Sequence, residues 1–301
     1  MEHPLLRISN LSRAYNDTKV LKHIALNLHP GEIVGFLGPN GAGKTTLMKI
    51  LSGYDSEWEG TVEFKTHDLK KERKQIQQQI GYLPEHNPLY LDWYVVEYLK
   101  FIAQLYGIQK PPLDQLIEQT GLEAYRNAKI KTLSKGYRQR VGIAAALIHD
   151  PAFVILDEPT TGLDPNQLVD IRSLIRDLGN TKTILLSTHV LQEVDALCDR
   201  VIVLHQGEIV LDDALENLRN QETQIIEVEF DYRVETVALE QIKGVKNVKN
   251  TFDFAYEIEA QGPDDLRPIL FDFAHDNGLK ILQLQRKSQR LEELFEQLTQ
   301  S

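Results

Sequence analysis

The sequence holds 301 residues, room for one large domain or a large one with a small companion. It carries 33 Lys and Arg against 44 Asp and Glu, a net charge of -11, which argues against a nucleic-acid backbone as main partner. The single cysteine, Cys198, excludes an internal disulfide framework and a cysteine-cluster metal site.

No uninterrupted apolar stretch approaches the ~18 residues of a membrane span. The opening Met1-Glu2-His3-Pro4 has no basic segment followed by an apolar run, so no signal peptide is expected. The expected location is cytoplasmic, with any membrane contact made through a partner.

In chain order, residues 5–11 alternate as an opening strand, Tyr15-Asn16-Asp17 forms a turn, and Val20 to Leu28 is a second strand. Ile33 to Leu37 is a buried strand, followed by a Gly-rich loop and a helix from Thr46 to Leu51. Gly60 to Phe64 is another strand. Residues 68–79 are charged and Gln-rich and read as a solvated helix, and Ile80 to Glu85 as a short strand running into a turn. Helical spacing runs from Asp92 to Tyr106, with Val95, Tyr98, Leu99 and Ile102 on one face, and again from Leu113 to Thr120. Ser134 is placed to cap an alanine-rich helix ending near His149-Asp150. Phe153 to Leu156 is an apolar run suited to a strand buried on both faces. A helix from Asn166 to Leu178 and a buried strand from Thr183 to Thr188 follow. Val201 to Leu204 and Gly207 to Val210 read as a hairpin.

After about Leu218 the character changes. Ile226, Val228 and Phe230 alternate with charges, as do Phe252, Phe254, Tyr256 and Ile258. Helical patterns occupy Val234 to Ile242 and Leu266 to Phe273, Leu279 to Leu282 is strand-like, and Leu291, Leu294, Phe295 and Leu298 mark a last amphipathic helix. The expected organisation is an α/β domain over residues 1–217, its helical subdomain near 88–150, and a small α+β domain of ferredoxin-like kind over 218–301.

Gly38-Pro39-Asn40-Gly41-Ala42-Gly43-Lys44-Thr45-Thr46 fits the phosphate-binding loop pattern in its proper strand–loop–helix setting. The glycines let backbone N–H groups turn toward phosphate oxygens at the positive end of a helix. Lys44 is placed to reach the β- and γ-phosphates, and the Thr45 hydroxyl to ligate Mg²⁺. Asp157-Glu158 ends a buried strand downstream. Asp157 is a candidate Mg²⁺ ligand and Glu158 a candidate base for the attacking water. His189 lies just past the next strand, at the carboxyl edge where α/β sheets bind ligands.

With Leu133-Ser134-Lys135-Gly136-Tyr137, Asp157-Glu158-Pro159-Thr160 and Gly162-Leu163-Asp164-Pro165, these motifs stand in the order of ATP-binding cassette (ABC) transporter ATPase subunits. The resemblance covers residues 1 to about 217 and implies the phosphate-loop ABC ATPase fold. It implies ATP hydrolysis with Mg²⁺, a head-to-tail homodimer formed on nucleotide binding, and a separate integral-membrane permease to which the subunit attaches peripherally at the inner face. It further implies that Tyr15 stacks on adenine, that Ser134 and Gly136 of one copy close on the γ-phosphate held by the other, and that Asp164 communicates across the dimer. His189 would contact the γ-phosphate.

Two departures stand out. Glu85 occupies the position of a Gln that senses Mg²⁺ and the membrane partner; it can ligate Mg²⁺ but adds negative charge beside a triphosphate. Lys135 and Tyr137 replace a Gly and a Gln. The segment Ile80 to Tyr90 resembles the ATP-binding subunit of the gliding-motility ABC transporter of Bacteroidetes, and the tail resembles drug- and polysaccharide-exporter ATPases. Two other readings compete: a soluble ABC ATPase acting on nucleic acid or ribosomes, and a phosphotransferase. One phosphate loop and no basic stretch weigh against the first. The second gives Ser134 and Gly136 no role.

Overall fold

The computed structural model describes residues 3–220, 223–261, 265–287 and 295. Two compact units divide the chain, Met1–Asp213 and Ala214–Ser301.

In the first unit the strands and helices run β1 (Leu6–Tyr15), β2 (Thr18–Leu28), β3 (Ile33–Leu37), α1 (Lys44–Leu51), β4 (Glu59–Phe64), β5 (His67–Asp68), α2 (Arg73–Gln77) and β6 (Ile80–Leu83). Three helices follow, α3 (Val95–Leu105), α4 (Leu113–Gln119) and α5 (Lys135–Leu147). The unit then continues with β7 (Phe153–Asp157), α6 (Pro165–Gly179), β8 (Thr183–Thr188), α7 (Leu191–Leu197), β9 (Arg200–His205) and β10 (Glu208–Ala214).

A six-stranded sheet has the order β10-β9-β3-β8-β7-β6, with β9, β3, β8, β7 and β6 mutually parallel. Every residue of β3, β7 and β8 is buried. That is why these strands appear in the sequence as unbroken apolar runs rather than alternations. Parallel pairing also brings their carboxyl ends out together, so the phosphate loop after β3, Asp157-Glu158 at the end of β7 and His189 after β8 reach one edge.

A second sheet, antiparallel with the order β2-β1-β4-β5, was not legible as a separate layer. Helix α1 joins the two sheets in one apolar cluster. Its Leu47, Met48 and Ile50 meet Leu6, Leu21 and Phe64 of the antiparallel sheet and Phe36 and Phe153 of the parallel one. Strand β1 runs on to Tyr15, past the expected end at residue 11. Its register against β2 shifts three times between Ile8 and Ala14, and Asn10 takes a left-handed φ of 51°. Bulges break the alternation by which a strand is read.

Residues 68–79 do not form the expected long helix. The Asp68 side chain accepts from the backbone of Lys70 and turns the chain, and Leu69 N donates to Val62 O, drawing Leu69 into the core. Only the five-residue α2 remains, anchored by buried Ile76.

The second unit begins with α8 (Leu215–Asn220). It continues as β11 (Thr223–Phe230), α9 (Thr236–Glu240), β12 (Val245–Phe252), β13 (Ala255–Gln261), α10 (Arg267–Asp276) and β14 (Ile281–Lys287). From β11 onward the pattern is strand–helix–strand–strand–helix–strand. The sheet order is β12-β13-β11-β14, antiparallel throughout, which is the ferredoxin-like arrangement. The alternation from Phe252 to Ile258 is not one strand. Asp253, at φ 39°, turns the chain; Phe252 and Phe254 are exposed, whereas Tyr256 and Ile258 enter the core. The edge strand β12 buries only Val248 and is otherwise Lys- and Asn-rich, so it left no apolar signal. The expected last helix, 291–298, falls outside the described residues apart from Phe295, which is helical.

Buried Tyr256 fastens the segment before α9: its hydroxyl donates to Val234 O at 2.7 Å and accepts from Val234 N at 2.9 Å. Tyr256→Phe strands both backbone groups and is expected to cost about 1–3 kcal/mol, read as a lower denaturation midpoint of the full chain. An unchanged midpoint would contradict this role.

Candidate active site

At the carboxyl edge of the parallel sheet lies a cleft of about 520 Å³. Among the sequence-predicted residues, Tyr15, Pro39, Asn40, Gly41, Gly43, Lys44, Thr45, Thr46, Glu85, Glu158 and His189 line it, joined by Val20 and Thr161. Gly38, Ala42 and Asp157 are buried and do not line it.

Two glycines of the loop are sterically required. Gly43 caps α1 with φ 111°, and a Cβ there would come within 2.8 Å of the Leu21 side chain. At Gly38 a Cβ would sit 2.4 Å from Leu204 O. The loop therefore closes against β9 and the β1–β2 layer, and α1 starts with its free N–H groups at the cleft.

Lys44 is buried, its Nζ donating to Gly38 O at 2.6 Å and Pro39 O at 3.3 Å and lying 3.9 Å from Glu158 Oε1. Burial pulls its pKa below the ordinary value, against the opposing pull of Glu158, Asp157 and Glu85. Asp157 is wholly buried. Its Oδ1 accepts from Ser187 Oγ at 2.5 Å, while its Oδ2 has no hydrogen-bond partner among the described residues. Burial raises its pKa although Ser187 and Thr45 favour the charge; Glu85 and Glu158 push it further up.

Glu158 departs from its neighbour by adopting φ 50°, a strained region for a residue with a side chain. Its N–H is held by Ser187 Oγ at 2.9 Å. Its carboxylate accepts from Thr161 Oγ1 at 2.9 Å and lies 2.9 Å from His189 Nδ1. Base candidate and histidine thus touch, and the ammonium of Lys44 stands beside them.

Ser134, Gly136 and Asp164 do not line this cleft. They meet one another elsewhere, through Gln167. Ser134 caps α5, accepting from Tyr137 N, and receives Gln167 Nε2 at 3.5 Å. Asp164 caps α6 by accepting from Gln167 N at 3.0 Å. A Cβ at Gly136 would lie 2.9 Å from the Gln167 side chain. Ser134 and Asp164 are exposed. Tyr137 turns away and packs its ring on Tyr125, centroids 4.1 Å apart.

A family model described as "ABC transporter" matches residues 21–161. The bacitracin transport ATP-binding protein BcrA of Bacillus licheniformis is 30% identical, over 98% of this chain and 97% of its own length. The linearmycin resistance ATP-binding protein LnrL of Bacillus subtilis is 30% identical, over 98% of both. A dimeric ATP-binding cassette solved in a post-hydrolysis state with ADP and Pi superposes with a TM-score of 0.63 at 26% identity, covering 70% of this chain and 98% of that one. The chain belongs to the ATP-binding proteins of ABC transporters, a family of ATPases.

For this ABC ATPase, the donors present suit a hard divalent cation. Asp157 Oδ2 is a buried oxygen with an unmet valence, and the Thr45 hydroxyl and Glu85 carboxylate also offer oxygen. Among the described residues no group of three or more His, Cys, Asp or Glu could hold a metal alone, so the rest of the shell falls to nucleotide and water.

Two supporting residues escaped the sequence reading. Ser187 bonds both Asp157 and Glu158. Buried Glu193 accepts from Thr188 Oγ1 at 3.1 Å and from the Thr160 hydroxyl, tying the loop after Glu158 to the end of β8. Their only local signals are a polar Ser-Thr pair ending an apolar strand and a carboxylate on the buried face of α7.

Because the folded pKa of Asp157 lies above its unfolded value, its contribution to stability is fully present below the ordinary 3.8 and is lost as pH rises through the folded pKa. Asp157→Asn is therefore expected to raise the thermal midpoint of the nucleotide-free chain at pH 7. The gain should vanish below that ordinary value. Equal midpoints at pH 7 would contradict the burial of an uncompensated charge.

Proposed function

We propose that the chain is the ATP-hydrolysing subunit of an exporter, closing on ATP as a head-to-tail homodimer that drives a separate membrane permease. The observation that carries this reading is the division of the site. The phosphate loop, Glu158 and His189 share one cleft, while exposed Ser134 and Asp164 and buried Gly136 gather around Gln167 outside it. A second copy, turned head to tail, would bring that cluster over the cleft, and the similarity to a cassette solved as a dimer with ADP and Pi supports the pairing of two copies.

In this reading the loop amides and Lys44 hold the β- and γ-phosphates and Tyr15 takes the base. Glu158 accepts a proton from the attacking water, held in place by its strained backbone, Thr161 and His189. Thr45, Asp157 and Glu85 would hold Mg²⁺, which when bound neutralises phosphate charge. Ser134 and Gly136 of the second copy would complete the cage through their hydroxyl and amide at the N-terminus of α5. Closure on ATP supplies the mechanical step and hydrolysis resets it.

Among the described residues no helix is long and apolar enough to cross a membrane. In this reading the transport path belongs to a partner, as the names of the transporter relatives suggest, and the subunit is proposed to work peripherally at the inner face of the cell membrane. A groove of about 460 Å³ lies beside Glu85, lined by Leu83, Pro84, Asn87 and Pro88 with the rings of Tyr90 and Phe101. The segment Leu83–Pro88 thus borders both ATP cleft and groove, which suits a permease helix seated in the groove. Export is favoured because two relatives that match over 98% of the chain are named for bacitracin transport and linearmycin resistance. The narrower link to gliding motility rests on the wording of Ile80 to Tyr90 alone.

Glu158→Gln is expected to lower ATP turnover by about 10²–10⁴-fold and to convert the chain from monomer to dimer when Mg-ATP is added, read as mass in solution. Turnover at the unsubstituted rate would remove Glu158 as the base.

A further inference from the structure

Tyr15 sits at the end of β1, 42% exposed, where a flexible ring would stack poorly. It is not free. Its hydroxyl donates to Asp55 Oδ2 at 3.0 Å, and the same oxygen receives Arg13 Nε at 2.9 Å. The Arg13 guanidinium lies over the Tyr15 ring, 4.3 Å from its centroid. Both charged side chains are largely covered, at 12% and 11% exposure.

The clamp is itself braced. Asp55 Oδ1 accepts from Glu57 N at 2.9 Å, and Arg13 also donates to Ala14 O at 2.8 Å and pairs with Glu57 at 3.2 Å. Burial opposes the Asp55 charge, but the Glu57 amide, Arg13 and Tyr15 outweigh it and hold the carboxyl below its ordinary pKa. Asp55 hangs from the last turn of α1, its N–H donating to Lys49 O at 3.0 Å. The same helix begins at Lys44 in the phosphate loop. One eight-residue helix therefore fixes the phosphate end and the ring at the opposite end of a single ligand.

Tyr15 lines the cleft and Arg13 does not; Arg13 lines a neighbouring cavity with Trp58 and Lys19. The guanidinium thus takes the ring face turned from the cleft. We propose that Arg13 and Asp55 are positioning residues of the nucleotide site, which lock the Tyr15 ring with one face against the guanidinium and the other open to a nucleobase. This rests on the proposed stacking role of Tyr15. Because neither residue lines the cleft, the clamp orients the ring without reading the edge of the base, so it serves purine nucleoside triphosphates alike.

The test is calorimetric binding of ATP, GTP and inorganic tripolyphosphate to the full chain and to Arg13→Ala, Asp55→Ala, Tyr15→Phe and Tyr15→Ala. Loss of the clamp is expected to raise Kd for ATP and GTP together by about three- to tenfold, with tripolyphosphate unchanged. Tyr15→Phe keeps the ring and removes only the bond to Asp55, so it reports even if Asp55→Ala folds poorly. Equal weakening of all three ligands would overturn the proposal in favour of a structural staple between β1 and the segment after α1. Loss of ATP binding in Tyr15→Ala with none in Asp55→Ala, Arg13→Ala or Tyr15→Phe would overturn the clamp and leave the stacking role standing. Full affinity in Tyr15→Ala would remove the stacking role itself, and the clamp with it.

Discussion

The site depends on a carboxyl group placed where no water reaches it. Asp157 ends a strand with no exposed residue, and one of its oxygens has a partner while the other has none among the described residues. That unmet oxygen costs stability in the empty chain and is the feature a cation would satisfy. The cost is borne by the apolar strands around it. β3, β7 and β8 are buried throughout, and their parallel pairing fixes where their ends emerge. Ser187, at the end of β8, reaches across to hold both Asp157 and the strained amide of Glu158. Adjacent acidic residues are thereby turned to different tasks, one beneath the cleft and one into it.

The division of functional groups follows from the same topology. Residues that follow parallel strands meet at one edge, whereas Ser134 and Asp164 cap the helices α5 and α6 and are joined through Gln167. Each half is well built on its own. The cleft has the glycine-rich loop, the buried lysine and the candidate base; the capped cluster has exposed Ser134 at a helix N-terminus. In the proposed dimer, joining them would make hydrolysis conditional on association and so turn a binding event into a mechanical stroke.

Much of this was legible in the sequence, and for identifiable reasons. The phosphate loop is short, local and sterically exacting, so its residues reveal it. The fully buried strands show as runs such as Phe153 to Leu156. What depends on pairing over long separations did not show. Tyr15 and Asp55 stand 40 positions apart, and Asp157 and Ser187 stand 30 apart. The antiparallel layer was hidden by bulges in β1, and the edge strand β12 by its polar composition. The helix expected over residues 68–79 failed because it was read from charge and Gln content alone; buried Leu69 and Ile76 hold that segment through a turn instead.

The central claim is that the cluster around Ser134 closes on the cleft of a second copy. It can be tested directly by cross-linking, since Cys198 is buried and its thiol pKa is pushed up by that burial, leaving introduced cysteines as the reactive thiols. One chain would carry Asn40→Cys at the cleft and the other Lys135→Cys beside Ser134, both with Glu158→Gln. On oxidation with Mg-ATP the mixed pair is predicted to form a covalent dimer that neither chain forms alone. No mixed dimer with Mg-ATP, or the same yield without it, would contradict the head-to-tail site.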